Sequence, residues 1–128
     1  MSTHKFKRTD EDSLIIVKCV LGTDRLSLAL DTGASHTVID LATILLAGYE
    51  MKEVVKMVEL ETGKGSIDAY VFKVDAISSL GITHQNMEVC SYDFLENNLL
   101  AIHGVLGLDF FKDTDLLISF KRNEISVS

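Results

Sequence analysis

LSLALDTGASHTVID, residues 26–40, sets a lone carboxylate between two apolar segments. Leu26, Leu28 and Leu30 alternate with Ser27 and Ala29, the period-two rhythm of a strand with one buried face. The strand runs into Asp31, Thr32, Gly33, Ala34 and Ser35, a turn of small residues, and apolar character returns at Val38 and Ile39. By itself this is an ordinary reading, because Asp and Gly are common turn residues. What decides it is the rest of the chain.

Upstream, Leu14–Leu21 is β-rich, and Gly22-Thr23-Asp24 turns it into Leu26–Leu30, a hairpin. Downstream, Asp40 is a plausible N-cap for a helix over Leu41–Ala47, with Gly48 as its stop. Val54–Glu61 and Ser66–Val74 are strand-like, and TGKGS, residues 62–66, joins them as a hairpin with a Gly-rich tip. Asp75–Leu80 and Asn86–Tyr92 read as further strands, with a break at Gly81 and a loop at Glu96-Asn97-Asn98. An apolar run over 102–107 is split by glycine. Asp109–Asp113 reads as a short helix capped by Asp109, and Leu116–Phe120 and Glu124–Val127 close the chain as strands. Many short strands with one or two short helices predict an all-β domain, a small barrel or sandwich. No βα alternation points to a nucleotide fold, and Gly63 and Gly65 precede no helix of the phosphate-loop type.

The chain has 128 residues, 47% of them hydrophobic, which suits one globular domain with a modest core. A net charge of −7 argues against nucleic acid or anionic membrane as a partner. Residues 1–12 read as a flexible, solvated tail, because His4-Lys5-Phe6-Lys7-Arg8 is followed at once by Asp10-Glu11-Asp12. Residues 13–128 then form the domain. No run is apolar and long enough for a membrane span, and no secretory leader pattern is present. Cys19 and Cys90 each sit in an apolar stretch and read as buried free thiols, with a disulfide left open. No ligand spacing points to a metal or another cofactor. These features favour a cytoplasmic setting.

LALDTGAS, residues 28–35, resembles the active-site signature of the aspartic proteases, and GVLGLDFF, residues 104–111, resembles the apolar-apolar-Gly segment of their retropepsin-like branch. The order of hairpin, Asp turn, Gly-tipped hairpin, Gly107 segment and terminal strand agrees over roughly residues 14–127. The resemblance is to single-domain bacterial relatives of the retroviral proteases. It implies a small closed barrel of the acid-protease type that dimerises and hydrolyses peptide bonds with no cofactor. Asp31 would be the catalytic residue, supported by Thr32, Gly33 and Ala34. Leu60, Glu61, Thr62, Gly63, Lys64 and Gly65 would form a flap over an extended peptide, and His103 and Val105 would line the cleft.

That chemistry needs two carboxylates facing one water. The chain holds one Asp-Thr-Gly, since Asp113-Thr114 is followed by Asp115, so a homodimer is expected to supply the second Asp31. Retroviral members often carry Gly-Arg-Asp or Gly-Arg-Asn where this chain has Gly107-Leu108-Asp109, so the brace their arginine provides must come from elsewhere. No partner spacing around His36 or His103 supports a nucleophilic triad. The alternative function is a catalytically inactive module of the same fold, holding an extended peptide or serving as a dimerisation domain.

Overall fold

In a computed structural model, residues 1–8, 13–97 and 102–128 are described. Strands β1 (Ser2–Lys5), β2 (Ile16–Leu21), β3 (Asp24–Leu30) and β4 (Val38–Asp40) lead into helix α1 (Leu41–Leu46). A 3-10 turn at Met51–Glu53 precedes β5 (Val54–Thr62), β6 (Gly65–Ser79) and β7 (Ile82–Tyr92). Helix α2 (Phe94–Asn97), β8 (Gly104–Leu106), a 3-10 turn at Leu108–Phe111, β9 (Leu116–Ser119) and β10 (Glu124–Val127) complete the chain.

The architecture is all-β and closed. The strand order β2-β3-β8-β4-β7-β6 returns to β2, because β2 also pairs with β6, so six strands make a barrel. Strand β5 hangs from the outer side of β6. Closure removes the sheet edges that an open sheet would expose. The larger core cluster fills the barrel with Leu21, Leu28, Ile39, Ile44, Phe72, Ile77, Leu106 and Phe110, each under 2% exposed. Cys19 and Cys90 are both buried and free.

Local chemistry explains several boundaries. The Asp40 side chain accepts a hydrogen bond from Thr43 N at 3.3 Å and so caps α1 as predicted. Gly48, at φ +106°, turns the chain after the helix. The break expected at Gly81 is a tight turn in which Leu80 and Gly81 both have positive φ.

Some expectations are corrected. Residues 1–12 are not a solvated tail throughout. Ser2–Lys5 pairs antiparallel with β10, Phe6 is buried in the main core, and Lys5 Nζ lies 2.8 Å from Glu124 Oε1. The alternating exposure of β1 hid this strand among charges, because only one of its faces meets the protein. Residues 9–12 of the expected tail lie outside the described residues. The two strands expected over 66–80 are one long strand, β6, since the backbone stays extended through Asp75, whose amide donates to the Tyr49 hydroxyl at 2.8 Å. The loop expected over residues 96–98 begins as α2, and Asn98 lies outside the described residues. The short helix near Asp109 is a 3-10 turn with Gly107 at its N-cap, because the Asp109 carboxylate is used by Thr37.

Candidate active site

Asp31 sits where β3 ends, held between two neighbouring strands. Parallel pairing sets Leu30 beside Leu106, and Asp31 N donates to Leu106 O at 3.0 Å. On the other side Leu30 N donates to Ile15 O at 2.8 Å, one residue before β2. Ala34 N then returns to Asp31 O at 3.1 Å and closes the turn. Inside it, Gly33 N donates to Asp31 Oδ1 at 2.9 Å, which orients the carboxylate. A Cβ on Gly33 would stand 3.2 Å from that same oxygen, so a side chain there would crowd the group the turn positions. Asp31, Thr32 and Gly33 are exposed and Ala34 is half-buried. A carboxylate fixed by a backbone donor yet open to solvent is suited to meeting a water or a second acid.

The segment after β8 locks this turn from behind. Leu108 N donates to Ala34 O at 2.8 Å. Gly107 lies against the chain after the turn, where a Cβ would come within 2.6 Å of the His36 carbonyl. A Cβ on Gly104 would overlap the Val38 carbonyl. Glycine at these two positions is therefore a packing requirement. Thr37, fully buried, links the two segments. Its hydroxyl donates to Asp109 Oδ1 at 2.7 Å and accepts from Gly107 N at 3.1 Å, and its amide donates to both Asp109 oxygens. This network braces the two segments against each other. Thr37 and Asp109 carry no local sequence signal for each other; the TGASHT and GLD segments would have to be read together.

The predicted hairpin is present, with Thr62 paired to Gly65 across the tip. The Thr62 hydroxyl donates to Gly65 O at 2.7 Å and accepts from Lys64 N at 3.1 Å, and Ser66 Oγ donates to Glu61 Oε1 at 2.8 Å. Gly65 has φ +106°, which glycine permits. Gly63 sits in the same turn. Lower down, Val58, Leu60 and Ile67 pack against a second small cluster that contains Ala29, Val38, Ala69 and Val71, and Val105 packs against the same cluster. The inner face of the hairpin is thus continuous with the strand that delivers Asp31. Glu59 and Glu61 alternate with Val58 and Leu60 and are exposed.

His103 is placed at the start of β8 with its ring engaged. Its Nδ1 accepts from Ser27 N at 3.0 Å, so a ring proton belongs on Nε2, and its backbone amide donates to Ser27 O at 2.8 Å. It fastens a loop to β3. His36 is exposed. Burial pushes the Cys90 thiol up to about 11, aided by the Asp109 carboxylate, and burial alone pushes Cys19 up to about 12. Neither is poised as a nucleophile. Among the described residues, no three His, Cys, Asp or Glu side chains gather in a metal-holding group. Among them too, no helix is long and apolar enough to cross a membrane.

Comparison with known proteins agrees with this geometry. The chain is similar in structure to a retropepsin-like aspartic protease from Rickettsia conorii, with a TM-score of 0.70 at 14% identity, covering 100% of this chain and 99% of that one. At that identity the likeness establishes the fold. The profile of the aspartyl proteases matches residues 17–110, from β2 to the end of the Gly107 segment. The chain belongs to the aspartyl protease family.

Proposed function

We propose that the chain is an aspartic endopeptidase that acts as a homodimer, one Asp31 from each subunit. The observation that carries this reading is an exposed Asp31 whose Oδ1 is already oriented by Gly33 N, in a turn clamped by Leu106 and Leu108. Among the described residues, two further carboxylates of these segments, Asp109 and Asp40, are committed elsewhere. Asp109 accepts three hydrogen bonds from Thr37. Asp40 accepts from Thr43 and from Leu95 N at 3.1 Å. In this reading the second free acid comes from another copy, since the chain holds one Asp-Thr-Gly.

In the mechanism, two Asp31 carboxylates share one proton, as paired aspartates of this enzyme class do, because like charges so close cannot both ionise readily. The ionised one takes a proton from the water between them as it attacks the scissile carbonyl. The protonated one donates to the carbonyl oxygen. The hairpin from Leu60 through Gly65 closes over the peptide, whose backbone lies extended beneath it and whose apolar side chains meet Leu60, Ile67 and Val105. The reaction needs no metal or cofactor. Two buried free thiols suit a reducing, cytoplasmic site of action.

Digestion of a peptide library tests the reading. Wild-type protein should cleave between apolar residues, and Asp31→Asn should abolish cleavage while keeping the fold by circular dichroism. Full cleavage by Asp31→Asn would contradict it. Peptide binding without cleavage by the wild type would favour the inactive module.

A further inference from the structure

His84 is a polar ring at a core-facing position. The β6–β7 register sets it opposite Ile77, a fully buried core residue, and directly opposed residues share a face of the sheet. An imidazole placed there needs a partner for its ring proton. It meets one distant residue, Phe110, at two points. Nε2 lies 2.7 Å from Phe110 O, and since a carbonyl only accepts, the proton stands on Nε2. The two rings meet edge to face, with centroids 4.8 Å apart at 84°. Phe110 is fully buried and belongs to the 3-10 turn that follows Gly107. Its carbonyl lies near the end of that turn, where helical bonding leaves carbonyls without a partner, and His84 supplies the donor.

We propose that His84 is a positioning residue for Asp31, which it reaches through this turn. The proposal rests on the catalytic reading of Asp31. On one side the turn is bound to the chain after Asp31: Gly107 N to the Thr37 hydroxyl, Leu108 N to Ala34 O, and the Asp109 carboxylate to Thr37. Those bonds hold the two segments to each other. Their place on the barrel is set at the ends of the turn. Strand β8, paired with β3 and β4, fixes its start, and His84 on β7 fixes its end. The turn passes a shift on. Phe110 N donates to Gly107 O at 3.2 Å, which stiffens it, and Gly107 packs so closely on the Ala34 and His36 carbonyls that not even a Cβ would fit. Ala34 N donates onward to Asp31 O at 3.1 Å. A displaced Phe110 carbonyl is therefore felt at the residue whose carboxylate Gly33 N orients. Small misplacements of a reacting group are costly, because the rate depends on near-attack geometry. His84 itself touches no reacting atom.

The test compares His84→Phe, His84→Asn, His84→Gln and Tyr49→Phe with wild type, measuring kcat and KM where each protein is folded. His84→Phe keeps a ring against Phe110 and removes the donor. His84→Asn keeps a polar group too short for Phe110 O. His84→Gln returns an amide N–H close to the place of Nε2. Tyr49→Phe is the comparison for stability alone, since it removes a different side-chain bond to the backbone, the one from Asp75 N. His84→Phe and His84→Asn should lower kcat about tenfold or more with KM near wild type. The amide proton resonance of Gly33, which reports its bond to Asp31 Oδ1, should shift in both. His84→Gln should recover most of kcat and of the resonance, and Tyr49→Phe should move neither. Should His84→Phe fail to fold, His84→Asn carries the same reading. Wild-type kcat, or an unmoved Gly33 resonance, in a folded variant lacking the donor would overturn the proposal and leave Asp31-dependent cleavage standing. So would a His84→Gln variant no better than His84→Phe, or an equal fall of kcat in Tyr49→Phe. A wild type without Asp31-dependent cleavage would overturn the catalytic reading, and the proposal with it.

Discussion

Asp109 receives three hydrogen bonds from a single residue, Thr37: the amide reaches its two oxygens at 2.9 and 3.0 Å, and the hydroxyl reaches Oδ1 at 2.7 Å. The same hydroxyl accepts from Gly107 N. One buried threonine thus ties the chain after Asp31 to the segment after β8, across 72 residues of sequence. The Asp31 turn lies between these anchors, so its geometry depends on them.

Thr37→Val keeps the shape and removes the hydroxyl. Gly107 N loses its acceptor, and Asp109 keeps only the amide. Hydrogen bonds to charged groups contribute roughly 1.5–3 kcal/mol each. The expected loss is about 2 kcal/mol of stability, read as a lower urea midpoint with an unchanged slope. Cleavage should fall more steeply than stability predicts, because the loosened segment carries the Leu108–Ala34 bond. A midpoint equal to wild type would show that the brace is not held by this hydroxyl.

Gly107→Ala tests the packing of the same segment. The added methyl meets the His36 carbonyl carbon and oxygen at 2.6 Å and the Ala34 carbonyl oxygen at 2.8 Å, all backbone atoms that cannot swing aside. Overpacking of this kind costs on the order of 1–3 kcal/mol. The expected outcome is a lower melting temperature, with Asp31-dependent cleavage lost before the fold is.

How much of this was legible in sequence depends on range. The Asp31 turn, the Asp40 cap and the Gly-tipped hairpin are local patterns, and each formed where its residues said it would. The strand Ser2–Lys5 was hidden, because its partner, β10, lies at the other end of the chain and its four residues carry no large apolar side chain. The Thr37–Asp109 brace was hidden for the same reason. Nothing near Asp109 distinguishes a helix-capping carboxylate from one reaching back to a distant threonine. The tie from Ser27 N to His103 Nδ1 was hidden in the same way, since the two residues lie 76 apart in sequence.

The terminal sheet should respond to acid. Glu124 is held below the ordinary carboxylate range, chiefly by the hydrogen bond from Lys5, with Arg122 adding to it. A depressed carboxylate stabilises the fold above the unfolded-state value, and that contribution is lost as pH falls through the folded-state value. Amide exchange at Ser2–Lys5, corrected for its intrinsic pH dependence, should therefore speed relative to the barrel strands as pH drops below the usual glutamate range. Glu124→Gln should show the faster relative exchange already at neutral pH and no further acid response. A wild-type ratio constant with pH would contradict this.

The thiols set the alkaline side. Burial holds the folded-state values at about 12 for Cys19 and about 11 for Cys90, both above the ordinary 9.0. The unfolded chain releases these protons first, so stability should fall as pH rises above about 9 and continue falling toward the folded values. Replacing both with alanine should flatten that slope. Iodoacetamide should label neither thiol at pH 8 in native protein and both after unfolding.

In the proposed mechanism, catalysis needs one Asp31 from each of two subunits. Its most direct test is co-refolding wild type with increasing amounts of Asp31→Asn and measuring cleavage per wild-type subunit. If every active particle holds two wild-type acids, that quantity falls in proportion to the wild-type mole fraction, reaching about half in an equal mixture. Activity per wild-type subunit that stays constant across the series would contradict the account, since each Asp31 would then work alone.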